Sequence, residues 1–124
     1  MRVLLDTHLL LWALSAPSKL SKRARQRIDS SEVFVSAACI WEVSIKSALG
    51  KLEADPAEVL AGVEPAGFNH LNIVAEHAAE VVKLPPIHKD PFDRLLVAQA
   101  RVEPMILLTD DEVLRGYGDF VEVV

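Results

Sequence analysis

Three short runs, Val3–Leu5, Val33–Val35 and Met105–Leu108, contain no polar residue, and each is followed at once by a residue that caps helices: Asp6, Ser36 and Thr109. A strand with one face in water alternates apolar with polar positions. A strand apolar throughout is buried on both faces, which points to a parallel sheet covered by helices. Helical patterns fill the intervals. Asp6-Thr7 supplies a cap before His8–Leu14, and Leu20, Ala24 and Ile28 recur at every fourth position in a second helix whose other faces carry Lys19, Lys22, Arg23, Arg25 and Arg27.

Ser36 opens a long helix to Leu49, which Gly50 ends. Asp55-Pro56 opens a short helix to Ala61, followed by a loop over Gly62–Gly67, a weaker strand over Phe68–Ile73 and a helix over Val74–Val82. Leu84-Pro85-Pro86 is a rigid connector, Asp90-Pro91 starts a helix to Val102, a helical turn follows Thr109-Asp110-Asp111, and Phe120–Val124 is the last strand. Strands alternating with helices predict a three-layer α/β/α domain with a central, mainly parallel sheet and right-handed crossovers. With 124 residues, 51% of them apolar, a single domain over residues 1–124 can build a core without staples.

Composition narrows the setting. Cys39 is the lone cysteine, so no internal disulfide forms and a cytoplasmic, reducing location is expected. Asp6 and His8 interrupt the apolar N-terminal stretch, which argues against a secretory signal, and Leu9–Leu14 is too short to cross a bilayer, so no membrane is expected. A net charge of −5 argues against coating nucleic acid by charge alone, although a local basic patch or a bound cation can still recruit a polyanion.

In a parallel sheet the residues just after each strand share one edge, the place where open α/β sheets hold their ligands. Asp6 and one of Asp110 and Asp111 follow strands; spacing alone leaves open which of the latter two faces the edge. Crossover helices run back against the strands, so the helix starting at Asp90 brings Asp90 and Asp93 to the same edge. Helical side chains lean toward the N-terminus, which lets Glu42, in the second turn after Ser36, reach it too. Carboxylates brought together repel and raise one another's pKa unless a cation lies between them. Hard oxygens without a Cys or His framework select Mg²⁺ or Mn²⁺ over zinc, and such an ion can bind a phosphodiester and activate water for in-line attack.

Each acid also has a purely structural role available. Asp6 and Asp90 are in helix-capping positions, and Asp90 with Asp93 around Pro91 imitates a capping box. Glu42 can pair with Lys46 four residues on, and Ala38, Ile45 and Leu49 on its face would half-bury it.

Four segments carry a family resemblance: Asp6-Thr7-His8-Leu9-Leu10-Leu11-Trp12; Ser36-Ala37-Ala38-Cys39-Ile40-Trp41-Glu42 with Lys46 and Gly50-Lys51-Leu52; Leu84 through Ala100, containing His88-Lys89-Asp90-Pro91-Phe92-Asp93-Arg94; and Leu108-Thr109-Asp110-Asp111. In this order and spacing the chain resembles the PIN-domain ribonucleases, specifically the VapC-type toxins of prokaryotic toxin–antitoxin pairs, over nearly its whole length. The resemblance implies a metal-binding core of Asp6, Glu42 and Asp93, with Asp111 as fourth acid and Thr109 as a supporting hydroxyl. The family pattern of Thr, any residue, Asp selects Asp111, and Asp110 would substitute if the turn differs by one residue. Thr7, Lys46 and Asp90 are supporting residues, Asp90 by capping. The implied activity is Mg²⁺- or Mn²⁺-dependent endonucleolytic cleavage of an RNA substrate, leaving a 5′-phosphate and a 3′-hydroxyl. A cognate antitoxin protein would silence it, and similar proteins are homodimers.

Lys22 and Arg23 on the basic helix, and Arg94 beside Asp93, are candidate phosphate contacts, weighed against a solvated helix face and a surface ion pair. The four histidines lack metal spacing with cysteines and read as packing or surface residues, with His8 alone close enough to Asp6 to matter. Trp12 and Trp41 read as core or interface, and Cys39 as a small buried hydrophobe. A receiver-like Mg²⁺-binding signalling domain would need paired acids after the first strand, an acceptor Asp after the third and a late Lys. Here Thr7 follows Asp6, and residues 71–73 hold no acid. A catalytically inactive PIN module that only binds a partner is disfavoured by the intact acid set.

Overall fold

A computed structural model describes residues 1–124. The three apolar runs form the inner strands of a five-stranded sheet: β1 (Arg2–Leu5), β2 (Glu32–Ser36) and β4 (Ile106–Thr109), with β3 (Asn69–Leu71) and β5 (Val121–Val123) at the edges. The order is β3-β2-β1-β4-β5 and every pairing is parallel. Val3, Leu4, Leu5, Val35, Leu107 and Leu108 are wholly buried, as unbroken apolar strands require. Helices flank the sheet: α1 (Thr7–Ser15), α2 (Lys22–Ser30), α3 (Ala37–Ala48), α4 (Pro56–Val63), α5 (Ala75–Glu80) and α6 (Pro91–Val102). None is long and apolar enough to cross a membrane.

Several boundaries differ from expectation for identifiable reasons. The third strand is half the expected length because its partner ends at Ser36, where α3 begins, so pairing stops at Ser36 with Leu71. Ser21 accepts the N–H of Ala24 and starts α2 there, leaving Leu20 outside the helix and Lys19 in a separate 3₁₀ turn. Helix α4 continues past Ala61 through Gly62 to Val63, whose side chain is wholly buried and ties the last turn to the core. The expected helix over Val74–Val82 is α5 followed by a 3₁₀ turn, Val81–Lys83.

From β1 the chain moves outward on one side through β2 and β3, then crosses back over α5 and α6 to β4 on the other side of β1. The strand order therefore reverses between β1 and β4, and a crevice opens there at the carboxyl ends. The two helices bordering it are joined through a buried amide. Ser36 Oγ caps α3 by accepting the N–H of Ala38 and donates to Gln99 Oε1 of α6 at 2.5 Å. Gln99 is fully buried, as are Leu96, Val97, Ala98 and Ala100 beside it, so α6 lies in the core and fixes the position of its own first turn.

Candidate functional site

The register explains the first pair of polar groups. Leu5 of β1 pairs with Leu108 of β4, so Asp6 and Thr109 emerge side by side, and the Asp6 N–H donates to Leu108 O at 3.0 Å. Asp6 is 4% exposed. Its Oδ1 caps α1 by accepting the N–H of Leu9 at 2.9 Å, and its Oδ2 accepts from Thr109 Oγ1 at 2.5 Å. Burial pushes its pKa up to about 6; the hydrogen bonds from Thr109 and Leu9 pull the other way, and the charge of Asp110 adds to the rise. Capping and site placement therefore coexist on one carboxylate.

Glu42 is likewise buried, at 6% exposure, with Oε1 accepting from Thr7 Oγ1 at 2.6 Å and Oε2 from Lys46 Nζ at 2.5 Å. That hydrogen bond raises the Lys46 pKa. Ile45 and Leu49 do not bury Glu42, contrary to the helical-face reading. They are exposed, and the inward face of α3 is instead Ala38, Cys39, Glu42 and Val43. Asp93 lies in the first turn of α6, where Asp90 Oδ1 caps the helix by accepting the N–H groups of Phe92 and Asp93. Burial, followed by the charge of Asp90, pushes Asp93 up to about 7; His88 lowers it, while Glu42 and Asp6 raise it further.

Asp111 is the acid that turns inward after β4. Its N–H donates to Thr109 Oγ1 at 3.0 Å, its Oδ1 accepts the N–H of Val113 and its Oδ2 accepts from His88 Nε2 at 3.1 Å. Asp110 points instead to the exposed His8, 3.8 Å away. Asp6, Thr7, His8, Glu42, Lys46, Asp90, Asp93 and Asp111 line one cavity of about 140 Å³ with no hydrophobic residue in its wall. Five carboxylates share that cavity with one lysine, and two of them are shifted upward by burial and crowding. Such a set of hard oxygen donors suits a small divalent cation. A wider groove of about 470 Å³ between α1 and α4, lined by Leu11, Leu14 and Val59 with Glu53, Asp55 and Glu58, lies apart from these acids.

Two further expectations, for His88 and Arg94, need correction. His88 is not a mere packing or surface residue: its Nε2 lies 3.1 Å from Asp111 Oδ2 and 3.5 Å from Asp93 Oδ2. Arg94 is neither a free phosphate contact nor half of a surface ion pair. One residue on from Asp93, it points away from the acids and donates to the carbonyls of Val81, Leu84 and Pro85 and to Tyr117 Oη, clasping the connector. Of the two readings of Trp41, core and interface, its 55% exposure removes the first and leaves the second; it meets Phe92 edge-on at 5.0 Å. On α2, Arg23 pairs with Glu122 at 3.2 Å and Arg27 binds the same carboxylate, while Lys22 is exposed. Cys39 is buried, which pushes its thiol up to about 12.

A parallel sheet with crowded acids at its reversal point defines a class, and comparison with known proteins makes it specific. The PIN domain family model matches residues 3–119, and the chain belongs to that family. It is 30% identical over 119 residues to Ribonuclease VapC22 of Mycobacterium tuberculosis, covering 93% of this chain and 91% of that protein. Among solved structures, a chain of the VapBC2 complex of Rickettsia felis bound to a promoter DNA fragment superposes with a TM-score of 0.70 at 12% identity, covering 100% of this chain and 98% of that one. A toxin–antitoxin complex from Klebsiella pneumoniae gives 0.66 at 20% identity, covering 98% and 96%. These likenesses support the fold.

Proposed function

We propose that the protein is a Mg²⁺- or Mn²⁺-dependent endoribonuclease, the toxin of a toxin–antitoxin pair. The observation that carries this reading is the convergence of Asp6, Glu42, Asp93 and Asp111 on one small cavity without apolar lining. The 30% identity to a protein named as a ribonuclease supports RNA as the substrate. A divalent cation held by these carboxylates would supply Lewis-acid activation of water and charge neutralisation at the scissile phosphate.

The chain's own residues do the positioning. Thr7 and Thr109 each donate to one inner acid, Glu42 and Asp6, and so aim their remaining lone pairs into the cavity. Lys46 holds Glu42 from the other side and is the one lysine or arginine in the cavity wall, and so the side chain proposed to meet a phosphate oxygen. Asp90 sets the start of α6 and thereby the height of Asp93. No side-chain nucleophile is needed, and attack by water leaves a 5′-phosphate and a 3′-hydroxyl. Lys22 and Arg23 are proposed to track the RNA backbone outside the cavity.

A cognate antitoxin is the proposed partner, supported by the structural likeness to chains from toxin–antitoxin complexes. Homodimerisation is supported by the exposed apolar stripe of Trp41, Ile45 and Leu49 on α3, which a second copy would remove from water. The lone, buried Cys39 suits a cytoplasmic location. The functional test incubates the purified protein with an RNA pool in Mg²⁺, in EDTA and as Asp93→Asn, then maps the cleaved ends. Cleavage with 5′-phosphate ends in Mg²⁺ alone is expected; cleavage surviving EDTA or the substitution would end this reading.

A further inference from the structure

His88 lies with Asp93 and Asp111 so that one potential ligand atom from each falls within 4.8 Å of the others, an arrangement that by distance alone suggests a third metal ligand. The hydrogen-bond polarity excludes that role in this conformation. The N–H of Asp90 donates to His88 Nδ1 at 3.0 Å, which makes Nδ1 the acceptor and puts the ring hydrogen on Nε2. Nε2 is the atom facing the acids, and a nitrogen that carries hydrogen offers no lone pair to a cation. It donates to Asp111 Oδ2 at 3.1 Å.

The backbone that carries the ring is held as well. The His88 N–H donates to Tyr117 Oη at 2.9 Å, Arg94 donates to the same oxygen at 3.2 Å, and Arg94 also binds Pro85 O in the connector leading to His88. Asp111 meanwhile has its Oδ1 committed to the N–H of Val113. Its two oxygens are thus fixed by a backbone group on one side and an imidazole on the other.

We infer that His88 is a positioning residue which, as a hydrogen-bond donor and not as a ligand, holds the Asp111 carboxylate in the orientation that completes the cation cage. The inference rests on the reading of the acid cluster as a divalent-cation site. A partner of this kind typically changes metal affinity by about ten- to a hundred-fold when lost.

The test compares the unsubstituted protein with His88→Leu and His88→Gln, reading Mn²⁺ binding by calorimetry, the Mg²⁺ concentration for half-maximal RNA cleavage, and the imidazole ¹⁵N shifts of the metal-free protein. A glutamine amide nitrogen reaches the place of Nε2 and retains a donor. Expected are an Nε2–H tautomer, a loss of Mn²⁺ affinity of about ten-fold or more in His88→Leu, and retention within about three-fold in His88→Gln. The Mg²⁺ concentration for half-maximal cleavage should rise by a similar factor in His88→Leu. Unchanged Mn²⁺ affinity in His88→Leu, an equal loss in both variants, or the hydrogen on Nδ1 would overturn the inference. If His88→Leu fails to fold, His88→Gln and the tautomer still decide it. Failure of the unsubstituted protein to bind Mn²⁺ would overturn the cation site itself, a result distinguishable from all the others.

Discussion

Thr109 donates its hydroxyl hydrogen to Asp6 Oδ2 across two adjacent parallel strands, at 2.5 Å. Thr109 Oγ1 itself accepts the N–H of Asp111 at 3.0 Å, so one hydroxyl sets the orientation of two acids from different parts of the chain. Thr109→Val keeps the shape and removes the hydroxyl. Mn²⁺ affinity should fall about ten-fold, with Thr109→Ser close to the unsubstituted protein. Calorimetric titration checks this, and equal affinity in the valine variant would contradict it.

The raised carboxylates make the stability of the metal-free protein depend on pH in an unusual direction. Asp6 and Asp93 titrate at about 6 and about 7 in the fold against an ordinary 3.8, so between those values the folded state binds more protons than the unfolded one. Stability therefore falls as pH rises through the window and is lowest above it. In EDTA the melting temperature should drop from about pH 5 to about pH 8, and Mg²⁺ should restore it most strongly at the upper end. Glu122, lowered by Arg27, acts oppositely, its contribution being lost as pH falls below the ordinary carboxylate range. A melting temperature in EDTA that rises steadily across the window would contradict the account.

Arg94 provides a test of structure against substrate contact. Its guanidinium spans three carbonyls and a phenol oxygen, a fork that lysine cannot reproduce. Arg94→Lys should cost roughly 2 kcal/mol of stability, measured by urea unfolding. A variant with unchanged unfolding and weakened RNA binding would return Arg94 to the role of phosphate contact.

The inner half of the site was legible because two periodicities specify it. Uninterrupted apolar triplets imply buried parallel strands, and whatever follows them reaches one edge; this placed Asp6 and the Thr109–Asp111 turn. Helix reversal placed Asp90 and Asp93. The choice of Asp111 over Asp110 came from the family pattern, since a tight turn after a strand has no period. His88 was missed for the same reason: it lies in an irregular connector after two prolines, and only its place two residues before Asp90, in the most distinctive segment, signalled it. Arg94 was misread because adjacency in sequence means about 100° of rotation on a helix, which turns it away from Asp93's cavity. The half-burial of Glu42 by Ile45 and Leu49 failed because the inward face of α3 is one step round from theirs.

The buried amide between α3 and α6 aligns two of the acids. Gln99→Leu removes the acceptor for Ser36 Oγ and the donor to Asn72 O, leaving a buried hydroxyl with one partner fewer. A destabilisation of roughly 2 kcal/mol in denaturant unfolding is expected. Cleavage measured well below the melting temperature should also fall, because Glu42 and Asp93 lose their common reference. Full activity at that temperature would show that the link is dispensable for alignment.

The central claim is that Asp6, Glu42, Asp93 and Asp111 hold one cation site. Crystals soaked in Mn²⁺ and measured at the manganese absorption edge test it most directly. The account predicts an anomalous peak inside the acid cavity, roughly 2.2 Å from oxygens of at least two of these side chains. A peak only elsewhere on the surface, or none at a concentration that supports RNA cleavage, would contradict it.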